Sequence, residues 1–178
     1  MATYNVNIEN GSGTANILTG QYTVTSNTNG YDNTSIDPST LNITSDVSEY
    51  TLKIAATGTL TLHVSEEGTA SGTAVQGATF VRCDSSGNEY GTPVTSDSSG
   101  NAILESVPFS ATEAPIIYYK QTASDGAHEF VSTLQNTTLT SQTATVEITN
   151  ALPTTKTIKL TDANYEGLAI EKGTINLA

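Results

Sequence analysis

One cysteine, Cys83, stands alone in 178 residues, so no intramolecular disulfide can staple this chain. Its reading is a small apolar residue on a strand rather than a bridge. Tryptophan is absent, and cations are scarce: 6 Lys and Arg against 18 Asp and Glu give a net charge of −12 and a pI near 4.2. A chain so poor in cations cannot line a phosphate backbone, which excludes nucleic acid as a partner. The same deficit disfavours anionic membrane surfaces. No apolar run approaches the ~20 residues needed to cross a bilayer, so membrane insertion is not expected. Residues 1–5 have neither a basic start nor an apolar stretch after it. The expectation is a chain made in the cytoplasm without a leader, or a mature fragment. Helical periodicity over ten or more residues is missing as well, so almost no helix is expected.

What is present is turn chemistry and period-two alternation. Residues 75–104 read VQGATFVRCDSSGNEYGTPVTSDSSGNAIL. Two identical clusters, Asp84-Ser85-Ser86-Gly87-Asn88 and Asp97-Ser98-Ser99-Gly100-Asn101, separate short β-rich runs. Gly takes a positive φ without a Cβ penalty, and Asp, Asn and Ser bond back to their own backbone. Both clusters therefore read as turns, and the stretch as hairpins laid end to end. Alternation recurs at Tyr4/Val6/Ile8, over residues 21–25, at Leu41/Ile43, at Tyr50/Leu52/Ile54 and over residues 59–64. Residues 27–33 read as a polar loop, and Thr57-Gly58 as a hinge. The fold class expected is all-β, with two immunoglobulin-like or prealbumin-like β-sandwich units.

The stretch around these turns resembles the collagen-adhesin B-type, or SpaA-like, repeat of Gram-positive surface proteins and pilins. The resemblance rests on Gly-Ala-x-Phe at residues 77–80, the two Asp-x-x-Gly-Asn turns, the strand at Tyr118-Tyr119-Lys120-Gln121-Thr122 and the closing strand at Val146-Glu147-Ile148-Thr149-Asn150. It covers about residues 59–153. Core positions expected there are Leu60, Leu62, Val75, Phe80, Val94, Ile103, Ile117, Tyr119, Val146 and Ile148.

Internal similarity sets the expected domains. Residues 50–62 and 145–160 both read as strand, bend, strand, and they lie one domain length apart. Residues 1–58 look like the second half of a unit and residues 154–178 like the first half. The expectation is a complete unit at 59–153 and a split unit made of 1–58 plus 154–178. Its C-terminal strands, at 157–161, 168–170 and 174–177, would pair in cis or be donated to a neighbouring copy.

Chemistry is sparse. His63 and His128 have no metal-ligand spacing. Glu66-Glu67 reads as a solvated loop, and the Asp97 turn lacks the later bidentate Glu of a calcium loop. No nucleophile elbow or phosphate loop is present. No catalytic, cofactor-binding or metal residue is therefore assigned, and an enzyme is not expected. The resembled family often carries a Lys–Asn isopeptide bond beside a buried acid. By that resemblance Asn150 matches the acceptor, but His63 or Ser65 stands nearest the Lys and Gln121 nearest the Glu. In the split unit Lys159 matches the donor, while Ala55-Ala56 and Ser26 occupy the other places. No isopeptide bond is expected. Residues 152–156, LPTTK, read as an interdomain bend.

Two functions follow from the resemblance and from the expectation of no leader. One is a bacteriophage virion accessory: a head decoration, head fibre or tail-associated protein. The alternative is a surface adhesin or pilin module of a Gram-positive bacterium. Both imply protein partners, either further copies or shell proteins, with a host-surface protein or glycan as a further candidate. Both imply a homo-oligomer or a larger assembly.

Overall fold

The computed structural model describes residues 2–68, 72–165, 168–170 and 172–176. Among them the regular structure is strand alone: β1 (Gly20–Thr23), β2 (Tyr31–Asp37), β3 (Thr40–Ile43), β4 (Lys53–Glu66), β5 (Thr79–Cys83), β6 (Glu89–Thr95), β7 (Asn101–Pro108), β8 (Ile116–Ala123), β9 (Gln135–Thr138) and β10 (Thr143–Asn150). The all-β expectation holds.

Two sheets face each other across residues 58–150. One is centred on β4, which pairs with β10, β7 and β2; the other has the order β6-β5-β8-β9. Between them lies the core, built from Leu60, Leu62 and Val64 of β4, Phe80 of β5, Ala102, Leu104 and Val107 of β7, Ile117 and Tyr119 of β8, Leu139 and Ile148. The alternation along β4 from Leu60 explains its placement: every second side chain points inward. Phe80 meets Tyr119 edge-on, with ring centroids 6.5 Å apart.

The two Asp-Ser-Ser-Gly-Asn turns are built alike. In each, the Asp carboxylate accepts N–H bonds from Ser86 and Asn88, or from Ser99 and Asn101, at 2.8–3.0 Å. Their roles differ, however. The first joins β5 to its hairpin partner β6, while the second carries the chain from one sheet to the other. The hairpins laid end to end are thus one hairpin and one crossover. Gly100 sits at φ +80° with the Val64 carbonyl oxygen only 2.4 Å from where a Cβ would stand. Its own carbonyl accepts the Val64 N–H at 2.8 Å. Close backbone approach explains why glycine is needed there.

Seven of the expected core residues are buried, and Val94 and Val146 pack half-buried against them. Ile103 is the exception, 44% exposed, while its neighbours Ala102 and Leu104 point inward. A bulge causes the later slip: Gly58 pairs with Val107 but Leu60 with Leu104, and Ser106 takes φ 52°. The extra residue turns Val107 back into the core.

Outside this sandwich the expectations fare differently. Residues 4–8 form no strand, and β2 begins at Tyr31, inside the last three residues of the expected 27–33 loop. The Thr57-Gly58 hinge does not exist as such. β4 runs unbroken through it, so the expected division at residue 58 falls inside a strand. Residues 157–161 and 174–176 are not strands either; an isolated bridge, Thr161 with Ala169, closes a small turn of chain. Leu177 lies outside the described residues. The missing strands have a physical reason: a period-two pattern becomes a strand only where a neighbour supplies the ladder bonds.

Candidate functional site

The C-terminal ends of β4 and β10 gather most of the polar groups that the sandwich buries. Asn150 closes β10 and is fully buried, opposite Glu66 of β4. Its Nδ2 donates to the Ser124 hydroxyl at 3.1 Å, and its Oδ1 has no hydrogen-bond partner. Gln121, on β8 and 2% exposed, donates from Nε2 to the Ala123 carbonyl at 3.0 Å. Both line a shallow open depression of about 220 Å³, together with Val131, Gln135 and residues 147–149.

His128 sits beside this pair between two carboxylates. Its Nδ1 lies 2.8 Å from Asp125 Oδ2, and Asp125 Oδ1 accepts the N–H groups of Ala127 and His128. Its Nε2 is 3.5 Å from Glu66 Oε2, within ion-pair range but outside hydrogen-bond geometry. The hydrogen bond to Asp125 raises the His128 pKa above its ordinary 6.5, against the opposing effect of burial. Glu66 adds to the rise. Burial pushes Asp125 up, but the Ala127 N–H and the His128 ring outweigh it and hold the carboxyl below its ordinary 3.8.

The second ring nitrogen of His128 faces a carboxylate rather than a nucleophile. In a catalytic dyad the second imidazole nitrogen faces a hydroxyl or thiol. Here it faces Glu66, while the Ser124 hydroxyl is engaged by Asn150 and Asp125. His63 lies elsewhere, on the outer side of β4, with Nδ1 2.9 Å from Asn101 Oδ1. Among the described residues no three His, Cys, Asp or Glu side chains come together as metal ligands. Cys83 is buried, as expected of an apolar strand residue, and that burial pushes its thiol pKa up, away from reactivity.

The residues matched to an isopeptide site fall at one pole. Asn150, Gln121 and Ser65 are all buried there, and β4 carries no amine beyond Lys53 at its far end. His63 is half-buried and points to Asn101 instead. No sequence pattern joins His128 to Glu66, which meet across the fold. The spacing of Asp125 and His128, an Asx turn, was its one legible sign.

The fold is an all-β sandwich whose first and last strands pair in parallel. No protein-family model matches the chain, and no curated protein matches it in sequence. Several solved structures overlap it in part. The minor pilin GBS52 of Streptococcus agalactiae is 13% identical, with 67% of this chain and 61% of that chain covered, at a TM-score of 0.49. The major pilin subunit BcpA of Bacillus cereus is 18% identical over 57% of this chain and 32% of its own, at 0.44. The Bacillus anthracis TIE protein is 16% identical over 57% and 19%, at 0.43. The chain thus spans from about a fifth to about three fifths of the length of these proteins.

Proposed function

We propose that the chain is a non-enzymatic structural module of a protein assembly on a bacterial surface, and that its sandwich transmits tension along the chain. The observation that carries this is the parallel pairing of β4 with β10 over Thr59–Glu66 and Thr143–Asn150. Parallel first and last strands put the entry and exit of the unit at opposite poles. Tension along the chain then draws the two strands past each other, and their ladder bonds resist together. The antiparallel hairpin β5–β6 is the internal contrast, because pulling its open ends apart breaks its bonds one after another. Two further features support a structural role. The surface is rich in uncharged polar residues with a strong net negative charge, which favours solubility. The buried polar pole holds no nucleophile facing a base. Of the two placements expected from the sequence, the bacterial surface agrees with the compared pilins; the virion has no counterpart among them.

Single-molecule pulling tests the reading. With handles at Thr59 and Thr149 the unit should yield at a several-fold higher force than with handles at Thr79 and Thr95. Equal forces would remove the basis for a load-bearing role.

A further inference from the structure

Asparagine followed by glycine is chemically labile, because a glycine nitrogen reaches the asparagine side chain with no Cβ in the way. The chain has this pair twice, at Asn10-Gly11 and Asn29-Gly30. Both pairs are exposed, and both glycines take a positive φ, 82° and 78°. Exposure does not separate them. What each turn is tied to does.

The Asn29 turn is fastened on both sides. Before it, Thr28 donates its N–H to Asn33 Oδ1 at 2.8 Å, and Asn33 Nδ2 donates back to the Thr28 carbonyl at 3.1 Å. After it, the Gly30 carbonyl accepts the Thr57 N–H at 2.9 Å, and Tyr31 pairs with Ala56 of β4. Gln142 Nε2 bonds the Thr57 carbonyl beside them at 2.9 Å and stands 3.0 Å from where a Cβ on Gly30 would sit. Moving Asn29 therefore disturbs the edge of the central unit.

The Asn10 turn has no such anchor. Glu9 and Ser12 exchange two backbone bonds, 2.9 and 3.1 Å long, around Asn10 and Gly11, which both take a positive φ. This is a two-residue hairpin turn of the Asn-Gly kind, with no strand at residues 2–8 or 13–18 to extend it. Nothing stands within 4 Å of where a Cβ on Gly11 would sit. Among the described residues neither the Asn10 carboxamide nor the Gly11 N–H has a hydrogen-bond partner. A turn held by two exposed bonds opens far more often than one stitched into a sheet edge.

We infer that Asn10 is a site of self-modification in the folded protein, converted to aspartate and isoaspartate by attack of the Gly11 nitrogen, while the fold protects Asn29. The Gly11 nitrogen gives its proton to solvent hydroxide and bonds Asn10 Cγ. The Cγ–Nδ2 bond breaks, and ammonia leaves with a proton from water, which closes a five-membered imide. Water then adds to one imide carbonyl and breaks its bond to nitrogen. Opening at Cγ leaves aspartate; opening at the main-chain carbonyl leaves isoaspartate, whose backbone runs through the side chain and is one carbon longer. Water is the only co-reactant, and nothing is oxidised. Either product adds a carboxylate to residues 1–52, which already hold Glu9, Asp32, Asp37, Asp46 and Glu49 and no Lys or Arg. The longer isoaspartyl backbone no longer fits a two-residue turn.

Peptide mapping of the full-length protein, warmed in mildly alkaline buffer and sampled over time, tests the inference. Each conversion is read as a gain of about 1 Da where an amide becomes a carboxyl group. Asn10 should convert about tenfold faster than Asn29 in native buffer, and at a similar rate in concentrated urea, where both turns are lost. Asn10→Gln should remove the early product, since glutamine would have to close a six-membered ring. The thermal transition of the 58–150 unit should stay unchanged as residue 10 converts. The imide also lacks one ammonia, and mapping places that loss at residues 10–11, apart from Asn150. Equal native rates, a faster Asn29 or no conversion at residue 10 would overturn the inference. So would a tenfold gap that persists in urea, because it would belong to the local sequence and not to the fold.

Discussion

Residues 58–150 and the segments on either side of them are made from the same ingredients, yet one stretch buries a core and the others bury nothing. Leu60, Leu62, Phe80, Val107 and Leu139 are at most 1% exposed. Among the described residues before 58 and after 151, no side chain is buried, and Ile8, Leu18, Ile158 and Leu168 are each more than half exposed. Composition does not separate them, since alternating apolar residues and Asn/Gly turns occur in both. What separates them is closure. The central unit has two sheets to set face to face, and its last strand returns beside its first. The flanks offer a ribbon, the strand β2 added to the outside of the β4 sheet, and a small turn, none with a second layer to cover it. Alternation therefore states which side a strand would bury, and only topology supplies something to bury it against.

The largest expected effect tests this contrast directly. Phe80→Ala removes a fully buried ring in contact with Tyr119 and should cost about 3–5 kcal/mol of the unfolding free energy of the central unit. Leu18→Ala, at a position 69% exposed, should stay within about 0.5 kcal/mol. Chemical denaturation of the two variants gives both numbers. If they proved similar, the division into a packed unit and unpacked flanks would be mistaken.

How far the sequence shows the fold follows the same line. The turns at Asp84 and Asp97 were legible because their hydrogen bonds are local: each carboxylate binds N–H groups two and four residues on. Leu60 and Leu62 of β4 and Ile117 and Tyr119 of β8 followed from alternation; Val64, on the same face of β4, and Val81, next to Phe80 on β5, were not among the expected core. Ile103 was misplaced because Ala102, the residue that does turn inward, is small and gives a weak signal beside a bulky neighbour. Val107 and Leu139 were missed because a bulge and a loop, rather than a regular strand, aim them. Strand β2 hid in a polar sequence, YDNTSID, and forms because β4 continues past Gly58 to receive it. The buried polar pole was the least legible part. Glu66, Asp125 and Asn150 come from three separate stretches, and only the register of β10 on β4 brings them to one end.

A smaller effect should come from that pole on changing pH. The His128 pKa is raised in the folded chain, so its contribution is complete below the ordinary value of 6.5 and is lost as pH rises through the raised value. Asp125 is held below its ordinary 3.8, so its contribution is present above that value and lost as pH falls through the lowered one. Between these limits, in mildly acidic solution, both are present. The thermal midpoint of the central unit should therefore decline as pH rises above 6.5 and through the raised value. His128→Gln should flatten that decline while Phe80 and its neighbours stay packed. His63 lies elsewhere, half-buried and hydrogen-bonded to Asn101, and His63→Gln should leave the slope in place. A slope that vanishes with His63→Gln instead would assign the dependence to the wrong pole.

The smallest expected effect is none at all, and it concerns the same buried Asn150. An amide bond to its side chain would need a neutral amine within bonding reach and an acid to move the proton, all shielded from water. The strand beside it, β4, presents Ser65 and Glu66 at that level and has its lysine, Lys53, at the opposite end. Lys120 adjoins Gln121 in sequence, but alternation turns it to the other face of β8, where its Nζ lies 3.7 Å from Glu89. Gln121 itself is an amide and cannot serve as the acid. The unit is therefore expected to hold its two ends by the β4–β10 ladder and its packing, without a covalent clamp. Intact-mass measurement should return the mass of the sequence, apart from any loss of the initiator methionine. A deficit of one ammonia, about 17 Da, would reveal a cross-link that this pole has no amine to make, and would move the mechanical strength of the unit from hydrogen bonds to a covalent bond.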